Sequence, residues 1–366
     1  MLRLEKRALP SRAALLIAPV AAVAFTLVVA SLLVAWAGAP VGRAYALLLE
    51  GGFGSRFAWT ETLTRAVPLI LTGLAAAVAF RARLYNIGAE GQLYLGALAA
   101  VAVGGLHGGE GFTAVPAWLL FPLMMLAAAA AGALLLLGPA LAKSRLGVDE
   151  VVTTLLLNFI VLLFVSWMLD GPMKDPTAMG WPQSVVLQEP MQLGKLVERS
   201  RLHTGLVWAL LLALLLWALL RYTTTGFQIR AVGANARASA FAGMPVGWVT
   251  VKVALLSGAL AGLAGAIEVA GRAGYVTLDM SPGYGYSGIV IAMLAALNPL
   301  GVVVAAVFVA GILVGADSMS RAVAVPTYIA DVIVSVSLLA MLVAAMLAQY
   351  RFVRQRRSPA QEQGAC

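Results

Sequence analysis

Long runs of uncharged apolar residues recur along almost the whole chain, and these runs decide what it can fold into. An α-helix needs about 20 such residues to cross a bilayer, with a range of roughly 17 to 25. Hydrophobic residues make up 61% of the 366 residues and charged residues only 11%, whereas globular domains carry about 25% charged residues. The sequence therefore predicts an all-α polytopic membrane protein without a sizeable soluble domain.

About ten of these runs are candidate transmembrane helices. The eighth run is short, and Asn298 and Pro299 separate it from the ninth, so a single kinked span over both runs is the alternative. The first run is longer than the roughly 7 to 15 apolar residues of a signal peptide, which favours a retained helix over a cleaved signal. The predicted spans are 13–37, 60–80, 87–106, 114–142, 151–169, 204–220, 250–271, 284–297, 300–316 and 328–350.

The positive charges favour one orientation of these spans. With ten spans and a cytoplasmic N-terminus, 16 of the 25 Lys and Arg residues fall on the inner side and 9 on the outer side. Cytoplasmic loops are enriched in Lys and Arg, so both termini are predicted to be cytoplasmic. The predicted organisation is a cytoplasmic segment (1–12), one transmembrane domain (13–350) with an outer loop (170–203) and an inner loop (221–249), and a basic tail on anionic lipid (351–366).

The chain carries few of the residues from which catalytic or metal sites are built. The net charge of +9 is spread among loops rather than gathered on one face, so nucleic acid is not an expected partner. Cys366 is the only cysteine, and His107 and His203 lie far apart in predicted loops, where we interpret both as surface residues. The sequence therefore predicts neither a metal site nor an acid–base centre.

Three acidic residues fall within predicted spans, where an unpaired carboxylate is costly. They are Glu90, Glu268 and Asp331. We interpret all three as snorkelling toward nearby water or basic residues, with a direct solute or gating contact as the alternative for each.

A polar segment between Arg221 and Lys252 interrupts the apolar pattern. Its Ala-rich stretch, 234–242, is followed by Gly243 and Pro245, which are typical residues for ending a helix. The pattern predicts a small helix on the membrane surface. In a chain with so little polar surface, such a helix is suited to contact a soluble partner.

Two glycine-rich motifs mark other spans. The stretch 84–96 places Asn, Glu and Gln together with three glycines at the start of a span, where freed backbone groups can bond to a neighbouring helix or to a ligand. The stretch 257–265 holds Gly258 and Gly262 at the spacing that lets two helices approach closely, with Gly265 one turn further on. We predict helix packing as the role of these last three glycines.

Four sequence motifs, and the order in which they follow one another along the chain, resemble permease subunits of bacterial ABC importers. The resemblance covers about residues 15 to 350. The similarity is greatest to the branch that imports nucleosides or simple sugars with basic-membrane-protein-type lipoproteins, and ribose and branched-chain amino-acid permeases are more distant. The motifs that carry the resemblance are 86–92, 147–158, 230–243 and 257–265.

The resemblance implies a non-catalytic subunit of the bacterial inner (plasma) membrane. Its implied partners are an ABC ATPase, a second and related permease, and an extracytoplasmic substrate-binding lipoprotein. The chain has no G-x-x-x-x-G-K-[ST] phosphate loop, and the nearest fragment, 194–196, lacks both the loop and the hydroxyl residue. The chain is therefore expected to bind no cofactor, while the ATPase uses ATP with Mg.

The resemblance also implies roles for individual residues. The inner loop becomes the coupling loop that docks on the ATPase, and the outer loop becomes either a docking surface for the lipoprotein or a solvated connector. The predicted coupling residues are Arg230, Gly233, Asn235, Ala236, Ala240 and Gly243. The candidate residues of the translocation path come instead from their polar side chains within predicted spans, with helix packing or satisfaction of the backbone as the alternative role of each. They are Asn86, Glu90, Gln92, Thr154, Asn158 and Ser287.

The expected solute is a nucleoside, with a simple sugar or another small solute such as a vitamin as the alternative. Two other classes of function compete with an importer subunit. A secondary transporter or channel would need an intramembrane ion relay or filter, for which three scattered carboxylates are poorly suited. A membrane-embedded enzyme would need a cluster of acid–base or metal-binding residues.

Overall fold

The computed structural model describes residues 2–6, 12–105, 116–323 and 350–354, with single helical positions between 332 and 343. The described part is almost entirely helical, which confirms the predicted fold class. The chain forms two compact units, Leu49–Gly315 and Met1–Leu48 with Ala316–Cys366. His107 and Asp331 lie outside the described residues.

The helices follow one another with short connections, apart from one long connection before the seventh helix. They are α1 (Arg12–Trp36), α2 (Val41–Phe53), α3 (Arg56–Arg81), α4 (Ala89–Gly104), α5 (Ala117–Leu146), α6 (Glu150–Asp170), α7 (Gly205–Tyr222), α8 (Thr224–Ala234), α9 (Ala236–Phe241), α10 (Val246–Glu268), α11 (Tyr284–Leu294) and α12 (Pro299–Val323). A π-helical turn, Val269–Ala273, extends α10, and a 3-10 turn covers Glu189–Met191.

Among the described residues, six helices are long and apolar enough to cross a membrane, counting α10 with its π-helical turn. They are α3, α5, α6, α7, α10 and α12. A seventh crossing arises if Ala24–Trp36 and Val41–Phe53, which meet at a bend of 116°, form one broken span. Helices α4 and α11 correspond to two of the ten predicted spans but are shorter than a crossing requires. The tenth predicted span, 328–350, lies largely outside the described residues, so the count of ten stays a prediction.

The predicted turn near Asn298 separates two helices rather than kinking one. Ala296 and Leu297 adopt left-handed backbone conformations with φ of 49° and 60°. The side chain of Asn298 then accepts a hydrogen bond from the Leu300 amide at 3.1 Å, at the start of α12. Helices α2 and α8 were not predicted from the sequence, because neither contains an apolar run of spanning length.

The unit built from the two ends of the chain contains the two described strands. β1 (Leu2–Lys6) pairs antiparallel with β2 (Tyr350–Arg354), a pairing that the sequence did not predict at the start of the basic tail. In the same unit, the Tyr45 hydroxyl donates to the carbonyl of Leu27 at 2.5 Å and lies 3.0 Å from the Ser31 hydroxyl. These contacts hold the start of α2 against α1.

The larger unit is organised around the close approach of α4, α5 and α10. A Cβ added at Gly258 would lie 2.3 Å from the carbonyl oxygen of Gly132 in α5, and one added at Gly262 would lie 2.2 Å from that of Ala128. A Cβ at Gly265 would lie 1.9 Å from the carbonyl oxygen of Leu93 in α4. Glycine therefore lets these backbones touch, as van der Waals packing between membrane helices requires.

The long connection between α6 and α7 folds back onto the end of α10. The amides of Ser184, Leu187 and Leu193 donate to the carbonyls of Val276, Gly274 and Ala270 at 2.8–3.1 Å. The predicted outer loop is thus an ordered layer on the π-helical turn and on the residues after it.

His203 lies beneath this layer, so its interpretation as a surface residue is wrong. Its side chain is fully buried, and its ring fills the space left by Gly271, where an added Cβ would lie 2.4 Å from the ring. Nδ1 accepts a hydrogen bond from the Gly205 amide at 3.2 Å. Burial, with a smaller effect of Arg272, lowers the pKa of His203 to about 4, so the imidazole is neutral at pH 7.

Candidate functional site: the junction of two short helices

The N-termini of α4 and α11 meet inside the larger unit. A Cβ added at Gly285, in the first turn of α11, would lie 2.2 Å from the backbone nitrogen of Glu90 in α4. The Thr72 hydroxyl, in the middle third of α3, donates to the Tyr284 carbonyl at 2.9 Å. Both short helices therefore begin beside the interior of a membrane-length helix, as the broken helices at transport sites do. We call this meeting point the α4–α11 junction.

Glu90 lies at the centre of the junction and is only 4% exposed. Its Oε2 accepts a hydrogen bond from the Gly285 amide at 2.6 Å, and the Ser281 side chain and the Gly283 amide also hydrogen-bond to the carboxylate. A carboxylate is favourable at a helix N-terminus, where backbone amides and the helix dipole carry positive charge. The predicted snorkelling of Glu90 is therefore wrong, because these buried contacts hold its carboxylate inside the unit.

The backbone between α3 and α4 is irregular, and side chains of α6 satisfy it. The Ile87 amide donates to the Thr154 hydroxyl at 3.2 Å, and the Asn158 amide nitrogen donates to the Ile87 carbonyl at 2.9 Å. Asn158 Oδ1 also accepts from the Gly91 amide at 2.8 Å. Irregular backbone within a membrane requires such partners, so Thr154 and Asn158 attach this segment to α6.

Asn86 and Gln92 attach the same segment to α10 and α3. Their side-chain amides exchange two hydrogen bonds of 2.9 Å, and Asn86 also donates to the Ser257 hydroxyl at 3.1 Å. Ser257 in turn donates to the Ala75 carbonyl at 2.8 Å. This network is buried and links three helices around the junction.

The structure thus brings five predicted path residues together at one place, namely Asn86, Glu90, Gln92, Thr154 and Asn158. The sixth, Ser287, lies in the first turn of α11 and is partly exposed. Next to it, Tyr286 is 38% exposed, and its hydroxyl accepts a hydrogen bond from Asn158 at 3.0 Å. Tyr286 and Ser287 therefore offer polar groups at the partly open edge of the junction.

Helix α9 forms where the sequence predicts a small surface helix, although α8 occupies its first expected residue. The Asn235 side chain caps α9 by accepting from the Ala238 amide at 3.1 Å. Gly243 ends it in a left-handed conformation with φ of 81°, while the Met244 amide bonds to the Ser239 carbonyl at 3.0 Å. This is the usual C-terminal capping by glycine.

The predicted coupling residues divide into exposed and buried positions. Ala236 and Ala240 are exposed on α9, and the neighbouring Phe241 is 95% exposed, a feature that the sequence analysis did not single out. Gly233 is instead buried against the end of α3. A Cβ added at this position would lie 1.9 Å from the carbonyl oxygen of Arg81. The Arg230 guanidinium donates to the carbonyl of Leu220 at the end of α7.

A further contact joins the turn after α3 to the α5–α6 connection. Lys143 pairs with Glu150 at 2.5 Å and donates to the carbonyl of Arg83 at 2.7 Å. Glu150 also accepts from the Tyr85 amide at 3.2 Å. The residues from Arg81 to Glu90 are therefore held continuously, from the contact with Gly233 to the junction.

Comparison with known proteins identifies a family and several relatives. The profile of a family described as branched-chain amino acid transport system / permease component matches residues 58–346. A guanosine ABC transporter permease of Bacillus subtilis (strain 168) is 37% identical over 327 residues, which cover 88% of this chain and 92% of that protein. No solved structure matches the chain.

Two further relatives bear on the range of solutes and on assembly. A glucose ABC transporter permease of Haloferax volcanii is 36% identical over 320 residues, 84% of this chain and 82% of that protein. A second guanosine ABC transporter permease of Bacillus subtilis (strain 168) is 30% identical over 253 residues, 68% of this chain and 77% of that protein.

Proposed function

Because the chain belongs to the branched-chain amino acid transport system / permease component family, we propose that it is the permease subunit of a bacterial ABC importer for nucleosides. The α4–α11 junction carries this proposal. It places polar side chains and two helix N-termini beside the interior of a membrane-length helix, where a polar solute needs partners to replace water. The relatives named for guanosine favour a nucleoside.

In this proposal the chain lies in the plasma membrane, and a separate ATPase subunit hydrolyses ATP. In this assignment the chain binds no cofactor, and the ATPase uses ATP with Mg. The exposed residues Ala236, Ala240 and Phe241 of α9 are the proposed contact with the ATPase. Small residues allow the close approach of a partner, and an exposed aromatic side chain is the type of residue that anchors interfaces.

A second permease and a substrate-binding lipoprotein complete the proposed importer. Two different permeases named for guanosine occur in one bacterium and both resemble this chain, which supports pairing with a related permease rather than with a second copy. The connection between α6 and α7 is the proposed docking surface for the lipoprotein. It is ordered on the end of α10, and Met179 and Trp181 are exposed there.

The experiment is reconstitution of the whole importer in proteoliposomes with the lipoprotein and labelled solute. We expect ATP-dependent uptake of guanosine that ceases when the ATPase or this chain is omitted. Uptake of glucose without guanosine would move the chain to a sugar importer, as the relative from Haloferax volcanii suggests. Uptake that persists without the ATPase would contradict an ABC importer and favour a secondary transporter.

A further inference from the structure

A charged cluster lies next to the α4–α11 junction, at the other end of α10 from α9. Glu268 and Arg272 form an ion pair of 2.6 Å across the start of the π-helical turn. The same guanidinium donates to the Tyr284 hydroxyl, the first residue of α11, at 3.2 Å. Glu268 is fully buried, so the prediction that it reaches water is wrong, and pairing with the basic residue Arg272 compensates its charge.

Two residues of α3 extend this cluster in the direction of the outer loop. Glu61 and Arg65 lie close enough to interact electrostatically with both Glu268 and Tyr284. Glu61 also lies 4.0 Å from the exposed guanidinium of Arg201, in the connection between α6 and α7. The cluster therefore runs from the outer connection to the first residue of α11, and Glu61, Arg65 and Arg272 are partly accessible.

One carboxylate oxygen of the cluster makes no hydrogen bond to any of the described residues. Glu268 Oε2 is buried without a hydrogen-bond partner, although Glu268 Oε1 binds Arg272. A buried acceptor that makes no hydrogen bond destabilises a fold, so it is retained only where another molecule or a function compensates. The hydrogen bonds of the Glu90 carboxylate cap α11, whereas Glu268 keeps an acceptor for which the described residues supply no donor.

We propose that Glu61, Arg65 and Arg272 line the access route by which a neutral solute, rich in hydrogen-bond donors and acceptors, reaches the α4–α11 junction from outside, and that the buried Glu268 sets the charge of this route through its ion pair with Arg272. This inference rests on the proposed function. The two carboxylates and two guanidiniums of Glu61, Arg65, Glu268 and Arg272 balance in charge, and the Arg201 guanidinium beside Glu61 is exposed at the outer end of the cluster. These four side chains therefore attract neither a cation nor an anion by net charge. Their oxygens and N–H groups, with the Tyr284 hydroxyl, match the hydroxyl, amide and carbonyl groups of such a solute.

The effect of each of these charges can be measured from the rates at which charged reagents label one introduced cysteine. Cys366, the only cysteine, is replaced by Ser, and Ser287→Cys places a thiol in the partly exposed first turn of α11. In the whole importer, two impermeant methanethiosulfonate reagents are applied from outside, one carrying trimethylammonium and one carrying sulfonate. Their ratio of labelling rates reports the electrostatic potential along the route.

We expect Glu268→Gln to favour the anionic reagent and Arg272→Gln to favour the cationic one. Each change should shift the rate ratio about tenfold, because one uncompensated charge acts in opposite directions on the two reagents. The double variant restores the balance and should return the ratio to that of the unmodified route. Arg145→Gln, which removes an exposed charge at the end of α5 beyond the Lys143–Glu150 contact, should leave the ratio unchanged.

Three outcomes would overturn the proposal. They are the absence of labelling at position 287 from outside, a ratio that neither single variant changes, and a double variant that does not recover the ratio. A merely structural role for the ion pair would give slow or absent labelling in both single variants without opposite preferences for the reagents. Labelling requires no transport, so failure of guanosine uptake would contradict the proposed function without deciding the route.

Discussion

A single methyl group at Gly233 tests separately two tasks that we propose for the segment 221–249, namely docking on the ATPase and transmission of its motion to the α4–α11 junction. Gly233 lies on α8, directly before α9, and an added Cβ would lie 1.9 Å from the carbonyl oxygen of Arg81. Contacts of Cβ atoms below 3.0 Å essentially do not occur, so Gly233→Ala must move α8 from the end of α3 by about 1 Å or more. The exposed surface of α9 itself is unchanged.

The contact between Gly233 and Arg81, which this substitution displaces, lies at the start of the segment 81–90 that leads to the α4–α11 junction. After Arg81, the chain is held by Lys143 and Glu150, then by Thr154 and Asn158, and it reaches Glu90 at the N-terminus of α11. Overpacking of this size costs about 1 to 3 kcal/mol. Since 1.4 kcal/mol corresponds to a tenfold change in an equilibrium, we expect solute transported per ATP hydrolysed to fall about tenfold in Gly233→Ala.

The assay compares ATPase recovery, ATP hydrolysis and uptake in reconstituted importers. Gly233→Ala should retain the ATPase but lose uptake per ATP, whereas Ala240→Trp, on the exposed face of α9, should lose the ATPase itself. Gly247→Ala is the matched control, because nothing lies within 4 Å of a Cβ there. Gly243 is unsuitable for a bulky substitution, since its φ of 81° would strain any other residue. Normal uptake per ATP in Gly233→Ala would refute transmission through the Arg81 contact.

Three further changes test packing, capping and burial. Gly265→Ala should lower the midpoint of thermal unfolding in detergent by the equivalent of about 1 to 3 kcal/mol, because its Cβ would lie 1.9 Å from the Leu93 carbonyl, whereas Gly138→Ala, with open space, should not. Glu90→Gln should cost about 1 to 2 kcal/mol by removing negative charge from the N-terminus of α11, and an unchanged unfolding midpoint would show that the carboxyl carries no charge there. The folded protein lowers the pKa of His203 from 6.5 to about 4, so its contribution is complete above pH 6.5 and is lost as the pH falls toward 4. His203→Asn should therefore remove up to about 3 kcal/mol of this pH dependence, and identical profiles of stability against pH would contradict burial of a neutral imidazole.

Local sequence pattern was sufficient for the helical class and for the positions of tight packing. Gly258 and Gly262 stand out by their spacing alone, because small residues four positions apart lie on one helix face. Their partners, Gly132 and Ala128, could not be found in the same way, since nothing near residue 130 specifies which neighbouring helix it contacts. Similarly, α9 was predictable from Gly243 and Pro245, but α8 has no apolar run of spanning length and was predicted as loop.

A single sequence could not predict which residues of the connections between helices are buried. His203 has polar neighbours in sequence, yet the amides of the α6–α7 connection bond to the carbonyls after α10 and leave the ring inside. The close approach depends on Gly271, almost 70 positions away, where a Cβ would overlap the ring. A contact of this kind depends on the order of helices in space, which local patterns do not specify.

The polar residues predicted to line the translocation path show why composition alone cannot separate structural from functional polarity. Asn86, Gln92 and Thr154 were chosen because polar groups in a membrane are costly and need a reason. In the structure their hydrogen bonds are directed to one another and to the irregular backbone before α4, which could not lie inside a membrane without them. We therefore expect the solute to use groups that this network leaves accessible, namely Tyr286 and Ser287, while the buried amides hold the broken helix in the shape that presents them.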